Sequence, residues 1–228
     1  MNYHSELEPA IFQERPNRFL GVVELMGERK LCFIPNPGRM NELLVPGRIV
    51  YLTRNLGVNR KTCFDMVLVR YEDTLVSIDS RMPNKLLVEA IRSNLLPDFR
   101  GFRVTKTEPV YGDSRFDILL SRMDEQVLVE AKSCTLVENG VALFPDAPTK
   151  RGARHLRTLK DACKVGRSSI IFVIQRCDAL LLRPNESTDP NFAYALRDAM
   201  DNGVEAYAYL TDVQLSSITL DGSIPITL

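Results

Sequence analysis

What most constrains this chain is a change of hydrophobic pattern near Arg81-Met82-Pro83. Before that point, apolar residues come in short runs separated by turn signals; after it, helical and strand periodicities alternate. In the first part, residues 18–26 and 29–33 read as strands around a tight turn at Gly27-Glu28. Pro35-Asn36-Pro37-Gly38 signals a loop, and residues 40–44 suit one helical turn. Strands at 48–54, 62–70 and 74–78 complete a set of five, which predicts a small barrel of the oligonucleotide-binding (OB) type.

In the second part, Leu86, Leu87, Ala90, Ile91 and Leu95 give residues 84–95 one apolar helical face. A β-rich segment, 104–132, and a loop at Asn139-Gly140 follow, then a helix from 150 to about 164 and a strand over 169–175. Asp189-Pro190 reads as an N-cap with proline at the first helical position, opening a helix to about Met200. A strand over 204–210 closes the pattern. The order predicts an α/β domain over 82–228 behind an OB-like barrel over 1–81, α+β overall.

Composition removes several functions. With 29 basic and 29 acidic residues the net charge is zero, which argues against a nucleic-acid coat over the whole surface and leaves room only for a local patch. Only His4 and His155 are present, so chemistry that needs several imidazoles is excluded. The five cysteines are scattered with no CxxC spacing, against a zinc site or a disulfide framework; reduced, buried thiols in a cytoplasmic chain are expected. No apolar run approaches the roughly 20 residues that span a bilayer, and no signal peptide is visible, so no membrane partner is expected. Ile170-Ile171-Phe172-Val173-Ile174 reads instead as a buried strand.

The chemistry concentrates in Phe116-Asp117-Ile118-Leu119-Leu120 and Val127-Leu128-Val129-Glu130-Ala131-Lys132. If a hairpin turns at Met123-Asp124, residues whose numbers sum to 247 face each other, and Asp117 meets Glu130 (117 + 130). Directly opposed Cβ atoms lie about 4.5–5.5 Å apart. Two carboxylates so close repel unless a cation lies between them or one holds a proton. Mg²⁺ or Mn²⁺ fits, since Mg²⁺ is usually held by one or two carboxylates with water and substrate phosphate. Lys132, two residues on, falls on the same strand face as Glu130, where it can orient or deprotonate a metal-bound water or neutralise charge in the transition state. An ion-pair cluster on a solvated hairpin is the alternative, but the apolar neighbours point to a central strand, where charge is costly without a role.

A basic stretch follows. Between Ala147 and Arg167 stand Lys150, Arg151, Arg154, Arg157, Lys160, Lys164 and Arg167 against the single acid Asp161. With Thr149 as N-cap, Lys150, Arg154, Arg157 and Lys164 share one helical face and Leu156, Leu159 and Cys163 the opposite one. The basic face and the free N–H groups of the helix N-terminus suit phosphate, with Gly152 permitting close approach of a backbone. His155 adjoins the basic face, where it could touch phosphate or act as an acid, although a structural role is the default for a lone histidine. In the barrel, Arg39, Arg48, Arg54 and Arg60 could follow a phosphate backbone or simply cover a solvated surface.

Asp117 with Glu130-Ala131-Lys132 resembles the PD-(D/E)xK nuclease core. The chain as a whole resembles the sugar fermentation stimulation protein A (SfsA) family. The shared stretches are Ile34-Pro35-Asn36-Pro37-Gly38-Arg39-Met40 with Glu42-Leu43-Leu44, Pro83-Asn84-Lys85-Leu86 with Glu89-Ala90, and Ser114-Arg115-Phe116-Asp117. They continue with Val129-Glu130-Ala131-Lys132-Ser133-Cys134-Thr135-Leu136 and Phe144-Pro145-Asp146-Ala147-Pro148-Thr149-Lys150-Arg151-Gly152. The resemblance implies an OB-like domain, a restriction-endonuclease-like α/β domain and DNA binding. It also implies that Glu89 joins Asp117 and Glu130 at the metal, whereas the helical wheel sets Glu89 beside Lys85 as an i,i+4 pair. Two functions follow: a metal-dependent nuclease acting on nucleic acid, or a DNA-binding regulator of sugar-utilisation genes that keeps the nuclease frame without turnover. The oligomeric state, a homodimer included, is left open.

Overall fold

Turn and strand chemistry shape the first sheet of the structure, a computed structural model that describes residues 1–3, 6–57 and 60–228. His4 lies outside the described residues. The strands are β1 (Glu8–Asn17), β2 (Leu20–Leu25), β3 (Glu28–Phe33), β4 (Ile49–Arg54), β5 (Phe64–Tyr71) and β6 (Thr74–Ser77). β2 and β3 are joined at Met26-Gly27, whose φ values of 52° and 79° suit the tight twisted turn that hairpins favour. The turn therefore sits one residue earlier than the sequence suggested. In the order β3-β2-β1-β4-β5-β6, a parallel contact of Phe33 with Asp65 joins β3 to β5 and closes β1 to β5 into a barrel. The barrel is five-stranded as expected, but it uses β1, which periodicity did not reveal, and β6 is a hairpin partner of β5 outside the closure. Pro9, Pro16 and register shifts after Phe12 and Glu14 break the alternation of β1, which buries few apolar side chains, Ala10 and Phe12 among them.

α1 (Met82–Arg92) opens the second part, followed by β7 (Arg103–Thr107), the two-residue strands β8 (Val110–Tyr111) and β9 (Ser114–Arg115), β10 (Ile118–Arg122) and β11 (Glu125–Cys134). Next come β12 (Val137–Glu138), β13 (Val141–Phe144), α2 (Lys150–Ala162), β14 (Arg167–Ile174), β15 (Leu181–Pro184), α3 (Pro190–Asp201), β16 (Glu205–Val213) and β17 (Ile218–Ser223). The main sheet runs β17-β16-β14-β11-β10-β7, with β11, β14 and β16 parallel and the outer strands antiparallel. Strand alternation divides the core. Val127, Val129, Ile171 and Val173 pack with α1, while Leu128, Ile170, Phe172 and Ile174 pack with α2 and α3. Each residue from Ile170 to Ile174 is fully buried, a contribution of about 1.5–3 kcal/mol apiece. Asn139-Gly140, read as a loop, is the left-handed turn of a β12–β13 hairpin, and β15 and β17 escaped the sequence reading. Cys63 and Cys177 are exposed rather than buried. No helix among the described residues is long and apolar enough to cross a membrane.

The two parts share a core. Leu7, Tyr51, Val67 and Leu68 belong to the same apolar cluster as α1 and the central sheet. Ser77 N–H donates to the Gln175 carbonyl at 2.9 Å, and Asn2 bridges to Ser217, immediately before β17 of the C-terminal sheet. At the junction Arg176, 1% exposed, pairs with Asp178 at 2.5 and 2.6 Å and lies 4.8 Å from the Tyr71 ring centre.

α2 begins as expected, with Thr149 Oγ1 accepting the Gly152 N–H at 3.0 Å. Gly152 has a different task from the one its sequence context suggested. It is buried, and a Cβ there would stand 2.8 Å from Thr149 Cγ2 and 3.1 Å from Phe192 Cδ2 of α3. In an open helix Gly→Ala gains about 1 kcal/mol. Here the added methyl must displace the capping threonine, whose loss costs about 1 kcal/mol, and overpack α3 by about 1–3 kcal/mol. Gly152→Ala is therefore expected to lower the thermal midpoint; an unchanged or raised midpoint would show that the cap yields freely.

Candidate metal centre

β11 is the middle of the sheet, and its chemistry follows from where β10 ends beside it. The pairs Ile118↔Val129, Leu119↔Leu128 and Leu120↔Val127 all sum to 247, the register that the Met123-Asp124 turn predicts. Asp117 stands one residue before β10. Its N–H still donates to the Val129 carbonyl at 3.1 Å, and its Oδ2 accepts the Ala131 N–H at 2.8 Å. The carboxylate thus satisfies the edge of β11 where the neighbouring strand has stopped. Asn84, in the first turn of α1, donates to Asp117 Oδ1 at 2.6 Å.

Glu130 is 4% exposed. Its Oε1 accepts from Lys132 Nζ and lies 2.6 Å from His155 Nδ1. Its Oε2 is buried and has no hydrogen-bond partner among the described residues. Such an atom carries a desolvation cost of about 1–3 kcal/mol or more, which a ligand would offset. Burial pushes Asp117 above the ordinary carboxylate range, and the charge of Glu130 adds to it; the Ala131 N–H, Asn84 and Lys132 only partly compensate. Burial also pushes Glu130 up, but the bond to His155 and the Lys132 charge outweigh it and hold this carboxyl below its usual range. One carboxylate is thus held charged by a lysine while its neighbour resists a second charge, a field that a divalent cation would relieve.

Among the described residues no group of three or more His, Cys, Asp or Glu is arranged to hold a metal. The candidate centre is the carboxylate pair Asp117 and Glu130, whose oxygens could hold a hard cation. Glu89 is not part of it. Its side chain is 48% exposed and its Oε2 lies 3.2 Å from the N-terminal ammonium of Met1. Glu89 lies five positions after Asn84, about 140° around the helix, so the face that reaches Asp117 through Asn84 turns Glu89 away. His155 also differs from expectation. It lies with Leu156 and Leu159 on the buried side of α2, 1% exposed, against the Phe116 ring at 5.3 Å.

The basic helix divides in two. Lys150, Arg151, Arg154 and Arg157 are exposed, and among the described residues none of them pairs with a carboxylate. Lys160 pairs with Asp198, Arg167 with Glu125 and Glu205, and Lys164, which lies beyond the helix end, with Asp161. In the barrel, Arg54 binds Glu8, Arg60 binds Asp65, and Arg48 donates to the Glu42 carbonyl at 2.6 Å. Arg39 keeps an exposed side chain, and its N–H donates to Asp146 Oδ2 at 2.8 Å. With Arg18 it lines a cleft of about 480 Å³ between the Asn36–Arg39 loop and the segment Phe144 to Thr149, with Ser133 also in its lining. Sequence reasoning missed Arg15, which holds the cleft loop through the carbonyls of Asn36 (2.9 Å), Gly38 (2.8 Å) and Arg39 (2.6 Å).

Comparison with known proteins agrees with this architecture. Residues 14–78 match the family described as SfsA N-terminal OB domain, and residues 81–217 match the sugar fermentation stimulation protein RE domain. A sugar fermentation stimulation protein homolog from Desulforamulus reducens is 44% identical over 224 residues, covering 98% of this chain and 93% of the relative. One from Natranaerobius thermophilus is 44% identical over 231 residues, covering 99% and 96%. The solved structure of Pyrococcus furiosus SfsA in complex with Ca²⁺ superposes with a TM-score of 0.93 at 33% identity, covering 100% of this chain and 98% of the other.

Proposed function

The chain belongs to the sugar fermentation stimulation protein family, and we propose that it is a DNA-binding protein whose Asp117, Glu130 and Lys132 support metal-dependent hydrolysis of phosphodiesters. The observation that carries this reading is the buried, unpartnered Oε2 of Glu130 beside a carboxylate that resists ionisation. Asp117 and Glu130 would hold Mg²⁺ or Mn²⁺; the Ca²⁺ named for the Pyrococcus furiosus protein supports a hard, oxygen-seeking ion. Such an ion, when bound, polarises the phosphodiester and eases formation of a nucleophile from water.

The remaining work falls to the chain's own groups. Lys132 donates to Glu130 Oε1, which keeps that carboxylate ionised, and its ammonium has further hydrogens for an oxygen of the scissile phosphate. Asn84 and the Ala131 N–H fix the Asp117 carboxylate from two sides. Lys150, Arg151, Arg154 and Arg157, with Arg39 and Arg18 across the cleft, would hold the phosphate backbone. The five free cysteines suit a reducing cytoplasm, where we place the protein.

The test is incubation of the purified protein with single- and double-stranded DNA and RNA, in Mn²⁺ or in EDTA. Cleavage that needs the ion and disappears in Asp117→Asn supports the reading. Salt-sensitive binding without cleavage in any of these conditions would reduce the protein to a DNA-binding regulator on a nuclease frame. For the interface, the double variant Arg154→Ala, Arg157→Ala is expected to weaken binding and to reduce the slope of log affinity against log salt by about 1.8, or about 0.9 per lost phosphate contact. An unchanged slope would take α2 out of the interface.

A further inference from the structure

His155 is engaged at both ring nitrogens, which volume-filling alone does not require. Nδ1 lies 2.6 Å from Glu130 Oε1, and Nε2 accepts from Arg151 Nε at 3.3 Å. A guanidinium can only donate, so Nε2 is the bare nitrogen and the ring hydrogen sits on Nδ1, where it donates to Glu130. The Phe116 ring, tilted at 47° with its centre 5.3 Å away, holds the plane of the imidazole. Lys132 Nζ donates to the same Oε1. Two donors on one oxygen fix the carboxylate's rotation and leave only Oε2 without a partner among the described residues.

We propose that His155 is a positioning residue: locked by Arg151 in the tautomer with its hydrogen on Nδ1, it orients Glu130 so that Oε2 alone is offered to the divalent ion. The inference rests on the metal-centre reading above. Arg151 is exposed at the N-terminus of α2, so the side chain that locks the ring also belongs to the face that would meet phosphate. One arginine therefore links engagement of the nucleic-acid backbone to the orientation of a metal-binding carboxylate. A hydrogen bond of this kind to a ligand-bearing group is worth about 10–100-fold in metal affinity.

The test uses the full chain without nucleic acid. Imidazole ¹⁵N NMR of the wild type is readable because the chain has only two histidines, with His4 as the internal comparison. Hydrogen on Nδ1 of His155, and loss of that preference in Arg151→Ala, are expected. Calorimetric titration with Mn²⁺ then compares His155→Phe, which fills the volume without a donor, with His155→Asn, which returns an amide N–H near the place of Nδ1. The Phe variant is expected to bind Mn²⁺ about 10–100-fold more weakly and the Asn variant to recover most of the loss. Should His155→Phe bind as the wild type does while Glu130→Gln does not bind, the positioning role is wrong and the metal centre stands. Mn²⁺ affinity that is indifferent to Glu130→Gln overturns the centre and this proposal with it. If the Phe variant does not fold, wild-type hydrogen on Nε2 is still enough to overturn the proposal.

Discussion

Asp117→Asn is expected to lower metal-dependent cleavage by about 10²–10³-fold and, in the same protein, to raise the thermal midpoint of the metal-free chain. The loss follows from removing one of two carboxylates that would hold the ion. The gain follows from the electrostatics of the free site. Burial and the Glu130 charge raise the folded-state pKa of Asp117, so its contribution to stability is full below the unfolded pKa and is lost as pH rises through the folded value. Ionising this side chain is therefore a burden on the folded state. Asparagine keeps an oxygen for the Ala131 N–H, and the Asn84 amide can turn to meet its NH₂, so the framework bonds survive. The stabilisation should be on the order of 1 kcal/mol, the scale on which functional sites trade stability for activity. Adding Mn²⁺ should raise the midpoint of the wild type and not that of the variant. An Asn variant that cleaves at the wild-type rate would remove Asp117 from the chemistry.

Lys132→Met carries the largest expected stability cost. The lysine side chain is 13% exposed and that of Glu130 5%, so the pair is effectively buried. Removing one partner of such a pair costs about 3–5 kcal/mol, because the remaining charge stays desolvated. The cost should depend on pH. In the wild type the folded pKa of Glu130 lies below its unfolded value, so its contribution is present above the unfolded pKa and is lost as pH falls through the folded value. Without Lys132, the His155 bond alone opposes burial, so the carboxyl moves upward and the folded variant takes up a proton earlier on acidification. The gap between the two proteins should therefore be widest near neutrality and narrow toward about pH 4, where carboxylates ordinarily titrate. Chemical denaturation at several pH values measures it. A gap that stays constant with pH would mean that the ion pair is not what Lys132 contributes.

The parts of this molecule that periodicity could show were those with one repeated geometry. The β10–β11 register followed from a single turn at Met123-Asp124, and the caps at Thr149 and Asp189 from side chains whose oxygen meets an N–H three residues on. β1 was hidden because prolines and register shifts destroy its alternation, although it lies between β2 and β4 in the barrel. The site residues that came from afar were hidden for another reason. Asn84 and His155 reach Asp117 and Glu130 from two helices on opposite faces of the sheet, and no local pattern encodes such a meeting. A trace of His155 was present nonetheless. At about 140° from Lys150 on the wheel it sits nearer Leu159, at about 180°, than the basic face, so burial was the better reading of its angle. Glu89 shows the reverse, since a residue carried over from the nuclease pattern was placed by this helix on the wrong side.

The Asn2–Ser217 bridge makes the barrel an insert rather than an appendage. The chain touches the C-terminal sheet, leaves to build the barrel, and returns through α1, with Ser77 on Gln175 and Arg39 on Asp146 as further fastenings. A single flexible tether would let two bodies swing, but splicing at both ends removes that freedom. The gap between the Asn36–Arg39 loop and the start of α2 thus behaves as a caliper locked at one setting. A force applied to the barrel would have to shear both splices together, so the barrel and the carboxylate-bearing sheet should yield as one mechanical unit.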